Sequence, residues 1–121
     1  MTNILIVGLG GAIGSILRYI ISKLLNENIS STFSWGTFAV NIIGCFIIGA
    51  VTSYAQKHGL SGEMKLLLTT GLCGGFTTFS TFSLENIQLI DSNQNLILGI
   101  YIIATLFCCL LTTYCGLKLF S

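Results

Sequence analysis

Four long apolar segments, separated by short polar stretches, account for most of the chain. A helix needs roughly 20 apolar residues to cross the hydrocarbon core of a bilayer, and each segment is long enough. The predicted spans are Ile4–Leu25, Phe33–Ala55, Met64–Ile90 and Leu96–Phe120. The loops between them leave no room for a soluble domain, so residues 1–121 are predicted to form one all-α transmembrane domain. Because no basic region precedes the first span, we interpret it as a retained helix rather than a signal peptide.

Composition and charge agree with a membrane protein and leave its orientation open. Hydrophobic residues make up 53% of the chain and charged residues 7%, whereas soluble domains carry about a quarter charged residues. Four spans would place both termini on one side, together with Lys57, Lys65 and Lys118, against Lys23 and Arg18 on the other. Such a small bias permits insertion in both orientations, and an antiparallel dimer is compatible with it.

The third span contains the most unusual stretch, TTGLCGGFTTFSTFSLE from Thr69 to Glu85. Two adjacent glycines cost a helix interior roughly 1 kcal/mol each relative to alanine. We therefore predict that the third helix is broken near Gly74-Gly75. Lipid offers no hydrogen bonds to freed backbone groups, so such breaks occur where they line a cavity or hold an ion. The carbonyl oxygens of Gly74 to Thr77 would suit a small cation.

Aromatic rings and hydroxyl groups alternate after the predicted break. Phe76, Phe79 and Phe82 are spaced three apart, which predicts that they lie near one helical face. The hydroxyl residues around them are Thr77, Thr78, Ser80, Thr81 and Ser83. Ring edges carry the positive part of the aromatic quadrupole and can face an anion. Small and hydroxyl residues also hold membrane helices together, but for the whole cluster we favour a path for a small polar species.

Glycines in the first span resemble a nucleotide-binding fingerprint but do not form one. The pattern G-x-G-x-x-G would end at Ile13 instead of a glycine, and no alternation of strands and helices follows. The pair Gly10 and Gly14, and the pair Gly11 and Ser15, are each spaced four apart. Small residues at this spacing let two membrane helices approach closely, so we predict a helix contact at this face.

Polar residues in the other spans each have two interpretations. Asn41 either bonds a neighbouring helix or lines a pathway as a donor, since a buried amide needs partners. Arg18 either anchors the helix at the interface or gives a pore an electropositive mouth. Glu85 is either solvated or paired with Arg18 in a structural role. The fourth span carries a polar stripe at four-residue spacing, which either bonds its own backbone or faces the third span: Tyr101, Thr105, Cys109 and Thr113.

The sequence lacks the residues that catalysis or tight metal binding would need. The five cysteines show no C-x-x-C spacing, so we interpret them as small packing residues. The single histidine, His58, falls in a predicted loop. No buried base and nucleophile pair occurs, and we predict that the chain is not an enzyme. Neutral donors in series would let an anion move on instead of trapping it, so the residues indicate a narrow anion pathway.

Three stretches resemble the Fluc (CrcB) family of fluoride channels: Gly10–Tyr19, Gly36–Gly49 and Thr69–Glu85. The resemblance covers the whole chain, and the third stretch is highly specific. It implies a channel that exports toxic fluoride passively from the bacterial cytoplasm across the plasma membrane. It also implies a dual-topology, antiparallel homodimer, or a heterodimer with a diverged copy, with Na⁺ at the dimer centre. No nucleic-acid partner is expected.

The resemblance also assigns roles to residues of this chain. The Na⁺ would be held by the backbone carbonyls of Gly74 and Thr77, and Arg18 would lie in the vestibule. The fluoride path would include Asn41, Phe79, Phe82, Tyr101, Thr105, Cys109 and Thr113, and we add the neighbouring hydroxyls of Ser80 and Thr81 from their position between the rings. Cys109 stands where relatives carry serine, and a thiol is a weaker donor than a hydroxyl.

Two other functions are weighed against the channel. A proton-coupled drug exporter of four helices would need a carboxylate in the middle of the first span, but no acidic residue precedes Glu27. A purely structural membrane subunit would explain the glycines but not the phenylalanines beside hydroxyls. A flux measurement on the purified protein in liposomes distinguishes the three.

Overall fold

The structure, a computed structural model, describes residues 1–121 and contains helices and short connections without strands. In chain order the helices are α1 (Thr2–Asn28), α2 (Trp35–His58), α3 (Gly62–Leu66), α4 (Gly74–Phe76), α5 (Ser80–Asp91) and α6 (Asn95–Leu119), with a π-helical turn, Leu67–Cys73, between α3 and α4. Three of these, α1, α2 and α6, are long and apolar enough to cross a membrane. The third predicted span exists as the divided segment from α3 to α5.

The divided third segment begins with a capped turn and then approaches α1 closely, backbone against backbone. The Ser61 hydroxyl accepts a hydrogen bond from the Met64 N–H at 3.1 Å, so Ser61 caps the start of this segment. A Cβ on Gly10 would lie 2.6 Å from the Leu67 carbonyl oxygen, and one on Gly14 would lie 2.8 Å from the Phe76 nitrogen. The predicted helix contact on this face of α1 is therefore confirmed.

The third segment is broken, as predicted, and the break begins two residues after the double glycine instead of within it. Gly74 has helical angles, φ −61° and ψ −40°, and both glycines belong to α4. The backbone becomes extended at Thr77, with φ −88° and ψ 160°. A Cβ on Gly75 would lie 2.5 Å from the Gly11 carbonyl oxygen, so this glycine permits the contact with α1 and does not break the helix.

Helices α2 and α6 pack side by side through a second pair of glycines. A Cβ on Gly116 would lie 2.7 Å from the Ala50 nitrogen, and one on Gly49 would lie 3.1 Å from the Gly116 Cα. The Ser53 hydroxyl donates to the Gly116 carbonyl at 2.9 Å. Since Ser is among the polar groups that bond membrane helices to each other, this contact fixes α2 against α6.

Aromatic side chains form the core at the opposite end of this helix pair. The Tyr101 side chain is fully buried and its ring lies 5.0 Å from the rings of both Phe33 and Phe82. Leu89 packs into the same cluster. Elsewhere large apolar side chains point outward, among them Ile103 and Leu110, each at least 70% exposed. An apolar exterior around a small core suits a chain surrounded by lipid or by other apolar surfaces.

Candidate functional site

A single side chain from α2 hydrogen-bonds the backbone in the middle of the break, which runs from Thr77 to Phe79. The Asn41 amide nitrogen donates to the Thr78 carbonyl at 3.1 Å, and its amide oxygen accepts from the Thr78 N–H at 2.8 Å. One side chain thus satisfies both backbone groups of Thr78, which have no helical partner. Asn41 therefore makes an interhelical contact, the first of its two predicted interpretations. Its amide nitrogen carries a second proton, which takes part in no hydrogen bond within the chain.

Hydroxyl groups organise the chain on both sides of the break. The Thr77 hydroxyl donates to the Cys73 carbonyl at 2.9 Å, which ends α4. The Thr78 hydroxyl accepts from the Thr81 N–H at 3.1 Å, which starts α5 in the manner of a helix cap. It also donates to the Thr81 hydroxyl at 3.1 Å. The hydroxyls of Thr78 and Thr81 are thus bonded to each other, whereas Ser80 is exposed.

Two backbone carbonyls at the break accept no hydrogen bond within the chain. In a continuous helix the Gly74 carbonyl would accept from the Thr78 N–H, but Asn41 has taken that donor. The Thr77 carbonyl likewise accepts none. The Gly75 carbonyl between them is bonded by the Arg18 Nε at 3.0 Å. The Gly74 and Thr77 carbonyls, which the family resemblance assigns to a cation, are thus both free of hydrogen bonds from the chain.

A groove of about 750 Å³ runs along the chain beside the break. Most of the predicted site residues line it, and they come from α2, the third segment and α6. The predicted residues that line it are Asn41, Gly74, Thr77, Phe79, Phe82, Thr105, Cys109 and Thr113. Arg18, Ser80, Thr81 and Tyr101 do not line it. Its other lining includes apolar side chains such as Ile48 and Leu106, so the groove offers scattered neutral polar groups on an apolar surface.

The phenylalanines occupy three different environments, which corrects the prediction of one helical face. Phe76 precedes the break and is buried, and its ring lies close to Gly44 of α2. Phe79 follows the break and is 75% exposed at the groove. Phe82 is buried, with its ring 5.8 Å from Phe79. The break separates Phe76 from the other two because its extended residues abolish the regular three-residue register.

The residues of the polar stripe on α6 differ in their hydrogen-bond partners. Thr113 donates to the Cys109 carbonyl of its own helix at 2.8 Å. This bond to the helix's own backbone is the first of the two predicted interpretations of the stripe. Thr105 is 5% exposed and its hydroxyl oxygen has no partner within the chain. Tyr101 donates from its buried hydroxyl to the Glu85 carboxylate at 2.8 Å. Thr105 lines the groove, and its buried hydroxyl is the unsatisfied group of this stripe.

Glu85 is held by hydroxyl groups, and the structural pairing with Arg18 does not form. Thr37 of α2 donates to one carboxylate oxygen at 3.0 Å, and Tyr101 donates to the other. Thr37 is not among the residues predicted from the sequence, although a signal was present. Thr37, Asn41 and Cys45 are spaced four apart, which places them on one face of α2. That stripe mirrors the one on α6, and the two stripes flank the third segment.

The comparisons with known proteins agree with this architecture. The family model described as CrcB-like protein, Camphor Resistance (CrcB), matches residues 5–117. A protein from Flavobacterium psychrophilum named fluoride-specific ion channel FluC is 47% identical over 97% of this chain and 95% of its own length. Relatives with the same name from Campylobacter jejuni and Gloeothece citriformis are 43% and 46% identical over 100% and 98% of this chain and 99% and 97% of their own lengths.

Proposed function

The chain belongs to the CrcB family, and on that premise we propose that it forms a channel through which fluoride crosses a membrane passively. The family confirms the resemblance in the sequence and the prediction that the chain is not an enzyme. Three apolar helices together with these relatives make it a multi-pass membrane protein. The observation that carries the proposal is the groove, in which neutral donors and an exposed ring stand beside a broken helix.

Fluoride would move along this groove by exchanging water for weak donors. Asn41 and Thr105 both line the groove. The second N–H of Asn41 bonds nothing within the chain, and neither does the Thr105 hydroxyl, which is buried in the single chain. The Phe79 ring is exposed there, and its edge presents the positive part of the quadrupole. None of the lining residues carries a full charge. A series of weak sites holds an anion loosely enough to release it, which conduction requires.

The remaining predicted residues take positions at the ends of this path. Ser80 and Thr81 would supply hydroxyls beside Phe79. Tyr101, bonded to Glu85, would stand one turn from Thr105, towards the start of α6. Arg18 bonds the Gly75 carbonyl through one of its five N–H groups. The others would give the vestibule the positive potential that attracts anions.

A second copy in the opposite orientation would complete the pore. Phe79 is 75% exposed and the groove is open in a single chain. The weak lysine and arginine bias permits both orientations, so we propose an antiparallel homodimer, or a heterodimer with a diverged copy. Labelling of engineered cysteines from each side of the membrane should find both orientations. A single orientation in cells that express this chain alone would overturn the homodimer.

We propose that the dimer holds Na⁺ through backbone carbonyls at its centre. The Gly74 and Thr77 carbonyls fit this role because they accept no hydrogen bond and both residues line the groove. Unwound backbone supplies such oxygens to Na⁺ in other membrane proteins. Two chains would contribute twice this donor set. The ion would stabilise the assembled dimer by its preference for that state.

The direction of transport follows from a passive mechanism. A channel without a coupled ion gradient moves fluoride down its own electrochemical gradient. In the plasma membrane of a bacterium, we propose, this pathway exports fluoride that has accumulated in the cytoplasm and so lowers its toxicity. Fluoride efflux should therefore proceed without an imposed proton gradient.

Fluoride efflux from liposomes, followed with a fluoride electrode, tests the proposal. The purified protein should release fluoride with little chloride. Phe79→Ile and Phe82→Ile should assemble normally yet conduct poorly, because an aliphatic side chain has no ring edge. Phe76→Leu is the matched control: Phe76 is buried away from the groove, so this change should cost about 1 kcal/mol of stability and leave conduction intact.

Three results would contradict the proposal. Equal leakage of fluoride and chloride would remove selectivity. Strict dependence on an imposed pH difference would indicate a coupled exporter. Normal flux through the well-folded Phe79 and Phe82 variants, checked by size-exclusion chromatography, would show that these rings only pack.

A further inference from the structure

The end of the molecule where α2 and α6 finish carries basic side chains that the proposed channel does not use. Lys57 and His58 lie in the last turn of α2, and Lys118 lies in the last turn of α6. All three side chains are exposed, and we call them the basic patch. Neither helix contains an acidic residue, so no carboxylate of either helix neutralises the two lysines.

The basic patch is continuous because the two helices end nearly level with each other. The Ser53 hydroxyl of α2 donates to the Gly116 carbonyl of α6 at 2.9 Å. Lys57 follows Ser53 by four residues, and Lys118 follows Gly116 by two. Since a helix rises 1.5 Å per residue, both lysines leave their helices about 3–6 Å beyond that bond. Their long side chains therefore extend from the same end of the helix pair.

Aromatic rings connect the two helix ends around the patch. The ring centroid of Phe120 lies 5.2 Å from that of Tyr54 and 6.3 Å from that of His58, edge-on to both rings. The Lys118 ammonium group lies 5.5 Å from the centre of the Tyr114 ring, within the range of a cation–π contact. Tyrosines of membrane proteins concentrate at the level of the lipid headgroups, so these rings place the patch at the depth of lipid phosphates.

The charge at this end of the helices favours an anionic ligand. The carbonyl end of a helix carries about half a negative charge, which one lysine on each helix exceeds. Glu63, in α3, is the only acidic side chain at this end, and Lys65 of the same helix offsets it. The opposite end of the molecule differs. Lys23 lies 5.9 Å from the centre of the Tyr19 ring, but Glu27 follows one turn later.

We propose that the basic patch binds the phosphate of an anionic membrane phospholipid. The ammonium groups of Lys57 and Lys118 would pair with the phosphate oxygens, as lysines near an anionic leaflet do. The Tyr54 hydroxyl and the His58 ring would offer further hydrogen bonds. The acyl chains would lie along the apolar exterior of α6, where Leu119 is 55% exposed. A free phosphate ion would gain nothing from that apolar surface, so the combination selects a lipid.

Native mass spectrometry of the purified full chain in detergent tests the patch with phosphatidylglycerol and phosphatidylcholine of identical acyl chains. Phosphatidylglycerol should bind more tightly because phosphatidylcholine has no net charge, and high salt should reduce the preference. A lysine near an anionic surface strengthens binding by a factor of roughly five. Lys57→Gln and Lys118→Gln should therefore each weaken phosphatidylglycerol binding about fivefold and leave phosphatidylcholine binding unchanged.

Lys23→Gln is the matched control, because Lys23 is also an exposed lysine beside a tyrosine ring but has an acidic neighbour. It should keep the preference for phosphatidylglycerol. Each variant should also keep the size-exclusion profile of the parent. Inorganic phosphate, added at constant ionic strength, should not displace the lipid.

Three outcomes would overturn the proposal. The Lys57 and Lys118 variants could retain the full preference of the parent, or Lys23→Gln could lose as much of it as they do. Displacement of the lipid by inorganic phosphate would indicate a site for the free ion instead. None of these measurements involves fluoride conduction, so a failure of the lipid site is distinguishable from a failure of the proposed channel function.

Discussion

Replacing Asn41 with alanine tests the role of one side chain in closing the helix break. Asn41 makes two hydrogen bonds with the Thr78 backbone, at 2.8 Å and 3.1 Å. Alanine can make neither, so the Thr78 N–H and carbonyl would lose their partners together. The same change at Asn86 is a matched control. Asn86 donates only to the Phe82 carbonyl of its own helix, and its amide oxygen is buried without a partner.

The two substitutions should differ in cost because they leave different groups unsatisfied. A buried donor or acceptor left without a partner costs about 1–3 kcal/mol, so Asn41→Ala could cost about 2–6 kcal/mol in a dry site. Both bonds are only partly buried, and water in the groove would offset part of the loss. We therefore expect about 2 kcal/mol for Asn41→Ala. Asn86→Ala removes an unsatisfied oxygen and should cost less than about 1 kcal/mol.

Unfolding in detergent micelles measures this difference when protein concentration is held constant, since the stability of an oligomer depends on concentration. Asn41→Asp adds a second comparison, because it keeps the acceptor for the Thr78 N–H and loses the donor to the carbonyl. The free energy of unfolding should fall less for Asn41→Asp than for Asn41→Ala, provided that water in the groove solvates the new carboxylate. The reasoning fails if Asn41→Ala is no more destabilising than Asn86→Ala, because the break would then not depend on this amide.

Three further predictions follow from other contacts. Gly75→Ala should reduce the yield of assembled protein severely, because the added Cβ would lie 2.5 Å from the Gly11 carbonyl oxygen. Gly74→Ala is the control and should be tolerated, because the atom nearest to its Cβ would be 3.9 Å away. Equal yields of the two variants would contradict this packing. Thr105→Val should leave the unfolding midpoint unchanged or higher, because the Thr105 hydroxyl has no partner to lose. Fluoride flux through this variant should fall, and unaltered flux would remove Thr105 from the path. Complete exchange of Na⁺ for a large organic cation should shorten dimer lifetime, and an unchanged lifetime and flux would count against the sodium site.

Several features were determined by sequence pattern because they depend on local periodicity. Apolar segments of about 20 residues predicted three of the helices to within a few residues, since lipid demands internally bonded backbone over that length. Small residues four apart predicted the contact face of α1, because only glycine lets two helical backbones approach at Gly10 and Gly14. The family resemblance rested on the same kind of information, which is short motifs in a fixed order.

The position of the break depended on contacts between distant residues. Local propensity pointed to Gly74-Gly75, where glycine weakens a helix. The structure moves the break to Thr77–Phe79, because Gly75 packs on Gly11 and Asn41 takes the Thr78 N–H. Neither partner is near in sequence, so no local pattern could reveal the competition. The exposure of Phe79 and the burial of Phe76 follow from that shift.

Partner choice among polar side chains was decided by tertiary structure for the same reason. Arg18 and Glu85 have opposite charges and were expected to be within reach, yet Arg18 bonds the Gly75 carbonyl and Glu85 accepts from Thr37 and Tyr101. Sequence spacing places a residue on a helix face, but only the packing of one helix against another determines what that face meets.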